Sequence, residues 1–405
     1  MKKSSLFISA VLLSLFVITL IAPSKSYAAR CNLSKGFPAW LGDFKQRAIG
    51  QGISRSTVER ALDGITFNPK VIKLDRRQAF FSKSFLEFVR RIVPNNRLSK
   101  GRQMLRKHSR LFAKVERTYG VPGPVLVAFW GLETDFGAFM GNMNTIRSLA
   151  TLAYDCRRPE LFQKELMAAL KIIERGDLSP REMRGPWAGE LGQMQFLPAH
   201  YVTYAVDFDG NGRRNLIKSV PDVMASSANY LKSLGWKAGQ PWLEEVRVPS
   251  SMPWDQADIT ISHSRSQWSR WGVKYANGKS LRSDGLAASL LLPMGRNGPA
   301  FLAYDNFKNV YLEWNHSLVY STTAGYFATR LAGAKPVRKG NGAVKHLNFA
   351  QIKKLQRILA KRGHDVGKID GIVGAGTRAA VKKEQLKLGL PADSYPTAEL
   401  ISRLR

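Results

Sequence analysis

One carboxylate in this chain closes a long apolar run. In Pro124-Val-Leu-Val-Ala-Phe-Trp-Gly-Leu-Glu133-Thr-Asp-Phe-Gly137, Glu133 stands near Trp130, Leu132 and Phe136, just before a glycine-marked turn. Pro124 suits the first turn of a helix, and the apolar run behind it predicts a helix buried on all sides. Burial and the negative end of a helix dipole both disfavour an ionised carboxylate there. The pKa of Glu133 should rise, as a general acid working at neutral pH requires. A solvated or salt-bridged glutamate at a helix end would show the same local pattern. Asp135-Phe-Gly137 has the letters of a kinase motif, but no glycine loop, lysine or catalytic-loop partner accompanies it, and that chemistry is set aside.

A second stretch, Gly185-Pro-Trp-Ala-Gly-Glu-Leu-Gly-Gln-Met-Gln-Phe-Leu-Pro198, sets small residues among sugar-binding groups. Its glycines permit close approach by a ligand, while Trp187, Gln193 and Gln195 offer a stacking face and amide hydrogen bonds. A packed glycine-rich turn would be spelled similarly. A third stretch, Asp207-Phe-Asp-Gly-Asn-Gly212, matches the first half of a calcium loop. Asp207, Asp209 and Asn211 take positions one, three and five, and Gly212 position six. Position twelve is Lys218, and Asp222 closes the shell only after a longer excursion. A polar turn without metal accounts for these residues equally, so Ca2+ is left open and no required cofactor is inferred.

The elements that must position these groups are mostly helical. Apolar residues recur every three or four positions from about 37 to 243, as in Leu105, Leu111, Phe112, Val115 and Tyr119, ended by Gly120 and Pro122. Residues 246–301 are rich in Trp, Ser and Gly, and the alternation Ala257-Asp-Ile-Thr-Ile261 predicts a short strand. Helical character returns at about 306–331. Residues 335–345, rich in Gly and Lys, have no apolar periodicity and read as a linker before a short last unit. The 405 residues therefore suggest two or three folding units, and 44% hydrophobic with 10% aromatic residues excludes disorder for most of the chain. Collagen-like and coiled-coil classes fail on composition as well.

Net charge is +32, with +11 in residues 335–405 (sixteen Lys and Arg, five Asp and Glu). Such a charge implies an anionic partner without naming it. Lys2 and Lys3, an apolar run from 6 to 22 and Ser26-Tyr-Ala-Ala29 have the pattern of a secretory signal peptide cut after Ala28 or Ala29. A retained anchor is the alternative, and it would keep the protein near a membrane surface. Arg30 before Cys31 argues against a lipidated cysteine. Export makes cytoplasmic nucleic acid a poor partner and places the chain in the periplasm. There the two cysteines, Cys31 and Cys156, could pair. Two buried thiols are the alternative, and no histidine pattern supports zinc.

The order of the motifs adds more than any one of them. Gly131-Leu-Glu-Thr-Asp-Phe-Gly137, Trp187-Ala-Gly-Glu-Leu-Gly-Gln-Met-Gln-Phe-Leu-Pro198, Asp207-Phe-Asp-Gly-Asn-Gly212, Ala228-Asn-Tyr230, Asn306-Phe307 and Trp314-Asn-His-Ser317 with Tyr320 follow one another. Over roughly 31–333 the chain resembles the lytic murein transglycosylase B family. The resemblance implies a mainly α (α+β) protein, with a lysozyme-like catalytic domain, a small β-containing subdomain and a groove for peptidoglycan glycan strands. Glu133 then matches the single catalytic glutamate, while Gln195, Tyr230 and Tyr320 match residues expected to hold or orient the sugar. Pro186 replaces a serine that some relatives direct at the glutamate, so tuning of Glu133 is expected to rest more on its apolar surroundings. Glu190, where relatives commonly carry a small residue, is expected to be structural or groove-lining.

The tail resembles a three-helix peptidoglycan-binding domain through Leu355-Gln356, Leu359, Gly363, Gly367, Asp370-Gly371, Gly374, Thr377-Arg378, Val381, Gln385, Gly389-Leu390 and Asp393. Ser394 replaces a usual glycine, and Glu384 a frequent aromatic. The implied domains are a signal peptide (1–29), the catalytic domain (30–334), a linker (335–347) and the binding domain (348–405), working as a monomer. The implied chemistry is cleavage between N-acetylmuramic acid and N-acetylglucosamine with closure of a 1,6-anhydro ring. The alternatives are a muramidase-type hydrolase and a non-catalytic wall-binding protein.

Overall fold

The computed structural model describes residues 36–76 and 84–404. The signal-peptide segment and Cys31, and with it the Cys31–Cys156 pairing, lie outside the described residues. Most of the described chain is helical, and three apolar cores account for its organisation.

The largest core joins helices from Gly36–Gly50 to Leu318–Leu331. Helix Ser109–Tyr119 ends where Gly120 adopts φ 77°, a left-handed cap open to glycine without a Cβ clash. A two-stranded ribbon, β1 (Met143–Asn144) with β2 (Arg184–Gly185), ties the segment after Glu133 to the second motif.

The second core lies under a five-stranded sheet: β3 (Leu243–Arg247), β4 (His263–Ser264), β5 (Lys274–Tyr275), β6 (Ala287–Leu291) and β7 (Ala300–Ala303). The strand order is β4-β6-β7-β3-β5, and every pair is antiparallel. Leu290, Leu302 and Val246 share its buried face with the fully buried Trp268. The strand expected at 257–261 does not form. Asp258 instead accepts the Thr260 backbone N–H at 2.9 Å and its hydroxyl at 2.7 Å, a local turn that competes with pairing.

The third core is the predicted three-helix unit, with helices Phe349–Lys361, Ala375–Lys387 and Ala398–Arg403. Its departures from the familiar pattern have local explanations. Burial pushes the Glu384 pKa up, but hydrogen bonds from His364 and Lys387 and the nearby Arg362 guanidinium hold it down at about 2. Ser394 has φ 62°, the left-handed conformation that favours glycine there.

The segment 335–345 is not a free linker. Val337 N–H donates to the Tyr326 hydroxyl at 3.3 Å, Arg338 donates to Glu245 and the Val246 carbonyl, and the Asn341 amide donates to the Val248 carbonyl at 2.9 Å. Val337 and Val344 pack against the main core without making a period, and polar groups hold the rest of the segment. The unit beyond it docks on the sheet subdomain. The partly buried Arg378 donates to the Leu292 carbonyl at 2.9 Å, Lys382 pairs with Asp258 at 3.2 Å, and Asp393 accepts the Arg296 N–H at 3.0 Å.

Candidate active site

Helix Gly123–Thr134 presents Glu133 in its last turn. Nine of its twelve residues are buried, so the glutamate has little freedom to turn away. Gly131 is needed for that packing: a Cβ there would lie 2.8 Å from the Phe136 ring and 2.9 Å from Phe327. Glu133 itself is partly exposed.

Two donors converge on Glu133 Oε1. Trp314 Nε1 donates at 2.9 Å, and the Tyr320 hydroxyl makes a short hydrogen bond to the same oxygen. Burial pushes the Glu133 pKa up, and these two bonds pull it back only in part, so it stays above the ordinary glutamate value. The Tyr320 hydroxyl is itself raised well above its usual pKa, first by burial and then by the Glu133 charge, and so remains a donor. With Oε1 occupied, Oε2 is the oxygen free to carry and deliver a proton.

Burial is the largest influence on Glu133, as its apolar surroundings led one to expect, and the two donors oppose it. Pro186 supplies no hydroxyl, and the hydrogen bonds come instead from the segment around helix Leu318–Leu331. Its N-cap Ser317 Oγ accepts the Tyr320 N–H at 3.4 Å, fixing the tyrosine in the first turn. Sequence reasoning gave Trp314 no role, although it shares a motif with Tyr320. Its ring packs on Phe129 at 4.5 Å, Phe196 at 5.9 Å and Tyr230 at 5.7 Å.

The structure brings Glu133 and Tyr320 into contact and places Tyr230 one ring away through Trp314. Tyr230 is 8% exposed and packs on His200 and Tyr204 at 4.8 and 4.7 Å. No hydrogen bond joins Gln195 to Glu133 among the described residues. Gln195 has φ 52°, and its amide donates to the Gly192 carbonyl at 2.8 Å and the Met140 carbonyl at 3.4 Å. No side-chain donor among the described residues reaches its carbonyl oxygen.

Gln193 is not placed to bind sugar. It is 7% exposed, accepts the Trp130 indole N–H at 2.8 Å and donates to the Ile217 carbonyl at 2.9 Å. Its backbone carbonyl accepts the Thr134 hydroxyl at 2.7 Å. This glutamine joins the end of the Glu133 helix to the second motif. Trp187 is partly buried against the main core. Glu190 turns its carboxyl toward its own backbone N–H, leaving Oε2 buried without a partner. Burial is the main cause raising its pKa, and the Glu133 charge adds to it.

Asp207, Asp209 and Asp222 converge, with one oxygen from each within 4.8 Å of the others. The buried Asp222 makes the excursion that the sequence left uncertain, accepting the Phe208 N–H and the Asn215 N–H, each at 2.8 Å. All-oxygen donors of this kind fit a hard divalent cation, although backbone N–H groups already satisfy several of them.

Comparison with known proteins agrees with this geometry. Residues 36–329 match the transglycosylase SLT domain family, and residues 350–404 match a peptidoglycan binding domain family. The fold is similar to the crystal structure of SltB3 from Pseudomonas aeruginosa in complex with NAG-anhNAM-pentapeptide. The TM-score is 0.84 at 43% identity, covering 92% of this chain and 100% of that one. Escherichia coli Slt35 in complex with calcium aligns with a TM-score of 0.62 at 26% identity, covering 72% of this chain and 92% of that one. Membrane-bound lytic murein transglycosylase B of Escherichia coli K12 is 28% identical over 253 residues, 62% of this chain and 68% of that protein. With the family match spanning most of its length, the chain belongs to the SLT transglycosylase domain family.

Proposed function

We propose that this protein is an exported lytic murein transglycosylase. It cleaves the β-1,4 bond between N-acetylmuramic acid and N-acetylglucosamine in peptidoglycan and leaves 1,6-anhydro ends. The observation that carries the reading is Glu133: a carboxyl whose pKa is raised by burial, with one oxygen held by Trp314 and Tyr320 and no described residue bonded to the other.

Glu133 gives its proton to the glycosidic oxygen as the bond to the anomeric carbon breaks. The substrate's own acetamido oxygen attacks that carbon and relieves its positive charge, a task for which ordinary glycosidases supply a second carboxylate. Glu133, now ionised and stabilised by its two donors, takes the proton of the C6 hydroxyl. That oxygen attacks the anomeric carbon and displaces the acetamido oxygen, closing the anhydro ring. No water is consumed. Tyr320 and Trp314 hold Glu133, while Tyr230 and Gln195 line the approach for sugar. Glu190, with its carboxyl folded onto its own backbone, is not presented as a second catalytic group.

Glu133→Gln should fold normally and lose nearly all activity on purified sacculi. Mass spectrometry of the wild-type digest should give muropeptides lighter by one water than hydrolytic products. Reducing ends instead would make the enzyme a muramidase, and full activity in Glu133→Gln would remove the glutamate from the mechanism.

Calcium fits as a structural ion at Asp207, Asp209 and Asp222, bracing the loop before the helix that carries Tyr230; it takes no part in the steps above. If so, calcium should raise the thermal midpoint of the wild type and not that of Asp209→Ala. The basic C-terminal unit docks on the wall, whose peptides carry carboxylates, and that binding weakens with salt. Export places the enzyme in the periplasm. Among the described residues no helix is long and apolar enough to cross a membrane.

A further inference from the structure

The turn after Glu133 is built from three consecutive left-handed residues, Asp135 (φ 51°), Phe136 (φ 64°) and Gly137 (φ 84°). For the two non-glycine residues this conformation costs about 1–2 kcal/mol each, so tertiary contacts must impose it. Asp135 is held by Arg97 and Lys100, each at 3.1 Å. The Phe136 ring is buried edge-on against Trp130 at 5.6 Å. Gly137 N–H donates to the Thr134 hydroxyl at 2.9 Å, and a Cβ on Gly137 would meet the Gln193 side chain at 2.6 Å. Strain held in this way is characteristic of functional sites.

The residue this turn delivers is Phe139. Its backbone N–H donates to the Thr134 carbonyl at 2.9 Å, and the next carbonyl, of Met140, accepts from Gln195. Its side chain is nevertheless 75% exposed, while the other large hydrophobic side chains found exposed among the described residues reach at most 53%. A single exposed apolar residue is ordinary on any surface. Here, however, a strained, hydrogen-bonded loop fixes the backbone of Phe139 six residues after Glu133, and Gln195 donates to the carbonyl of the next residue.

We propose that Phe139 is a sugar-stacking platform that takes the apolar C–H face of an N-acetylhexosamine in the glycan strand beside the cleaved bond. An aromatic face is electron-rich and apolar, which suits the weakly positive axial hydrogens of a pyranose. The same loop carries groups a sugar uses: the Gln195 amide bonded to the Met140 carbonyl, and Asn142, whose backbone and side-chain oxygens both accept from Arg184 at 3.1 Å. A membrane would instead require a contiguous apolar surface, and beyond Ala138 and Met140 the loop continues into Gly141 and Asn142. The assignment rests on the reading that glycan strands are the substrate.

The test separates binding from chemistry. In the inactive Glu133→Gln background, binding of peptide-free glycan oligomers should weaken about three- to tenfold in Phe139→Ala, the range of one aromatic contact, and recover in Phe139→Trp. In the active enzyme the loss should fall on KM rather than kcat. The melting temperature should not change, because so little of the ring is buried. Unchanged glycan affinity in Phe139→Ala would overturn the proposal. A lower melting temperature with reduced kcat would overturn it in favour of a structural role. Loss of binding to anionic lipid vesicles with KM unchanged would overturn it in favour of a membrane contact. If Glu133→Gln is itself fully active, the catalytic reading fails, and the affinity comparison still decides the role of Phe139.

Discussion

Tyr320→Phe removes one of the two donors to Glu133 Oε1 and leaves the ring in place. Before cleavage the hydrogen bond is made to a neutral carboxyl, and after proton transfer to a carboxylate. A bond to a charged acceptor contributes about 1.5–3 kcal/mol, against about 0.5–1.5 kcal/mol for a neutral pair. The difference, roughly 1–1.5 kcal/mol, stabilises charge that develops only as the proton leaves. At 1.36 kcal/mol per factor of ten, its loss lowers kcat about five- to tenfold. The same donor favours the ionised form of Glu133, so without it burial is opposed by Trp314 alone and the pKa rises further. The limb on which activity falls as Glu133 loses its proton should therefore move to higher pH. The assay is release of anhydromuropeptides from sacculi, with kcat and KM fitted at each pH. A kcat within twofold of wild type with an unmoved limb would refute the assigned role of Tyr320, and so would a loss confined to KM.

Three further outcomes follow from other contacts. Burial raises the folded-state pKa of Glu133, so its stabilising effect is complete below the ordinary glutamate pKa and lost as pH rises through the folded value. Glu133→Gln should accordingly melt at a higher temperature than wild type at neutral pH, with the gap closing in acid; a gap independent of pH would contradict this. Gln193→Ala leaves the Trp130 indole N–H and the Ile217 carbonyl buried without partners, and should cost about 2–4 kcal/mol in urea unfolding. A change below half a kilocalorie would show that the bracket between the two motifs is dispensable. Arg378→Ala removes a charge-assisted bond to the Leu292 carbonyl, enlarging the undocked population of the C-terminal unit about ten- to hundredfold. Limited proteolysis within 335–345 should quicken accordingly, and an unchanged cleavage rate would mean that Arg378 does not hold the dock.

The helix ending in Glu133 was legible because its signals are local: an apolar run, a first-turn proline and a glycine-marked end. The three-helix tail was legible for the same reason. The Ala257–Ile261 alternation misled because the Asp258 carboxylate satisfies Thr260 locally, an effect that binary patterning does not register. The segment 335–345 read as a linker because its two packed valines make no period and its hydrogen bonds reach distant parts of the chain. Within the site, residue types alone could not separate Gln193 from Gln195. They lie two positions apart in one motif, yet one is a saturated internal brace and the other keeps an oxygen available. Trp314 escaped for a related reason: an indole in a motif is equally suited to packing, and its donation to Glu133 exists only once the ends of the domain meet.

The two donors to Glu133 lie 181 and 187 residues further along the chain. The acid and the groups that orient it are thus among the most sequence-distant contacts in the catalytic unit, and such closures come late and slowly in folding. A nascent or truncated chain ending before Trp314 contains the glutamate, its helix and the motif that braces it, but neither donor. For an enzyme that cuts peptidoglycan, this connectivity ties competence to completion: the chain reaches its active form only after nearly the whole domain has been made and closed.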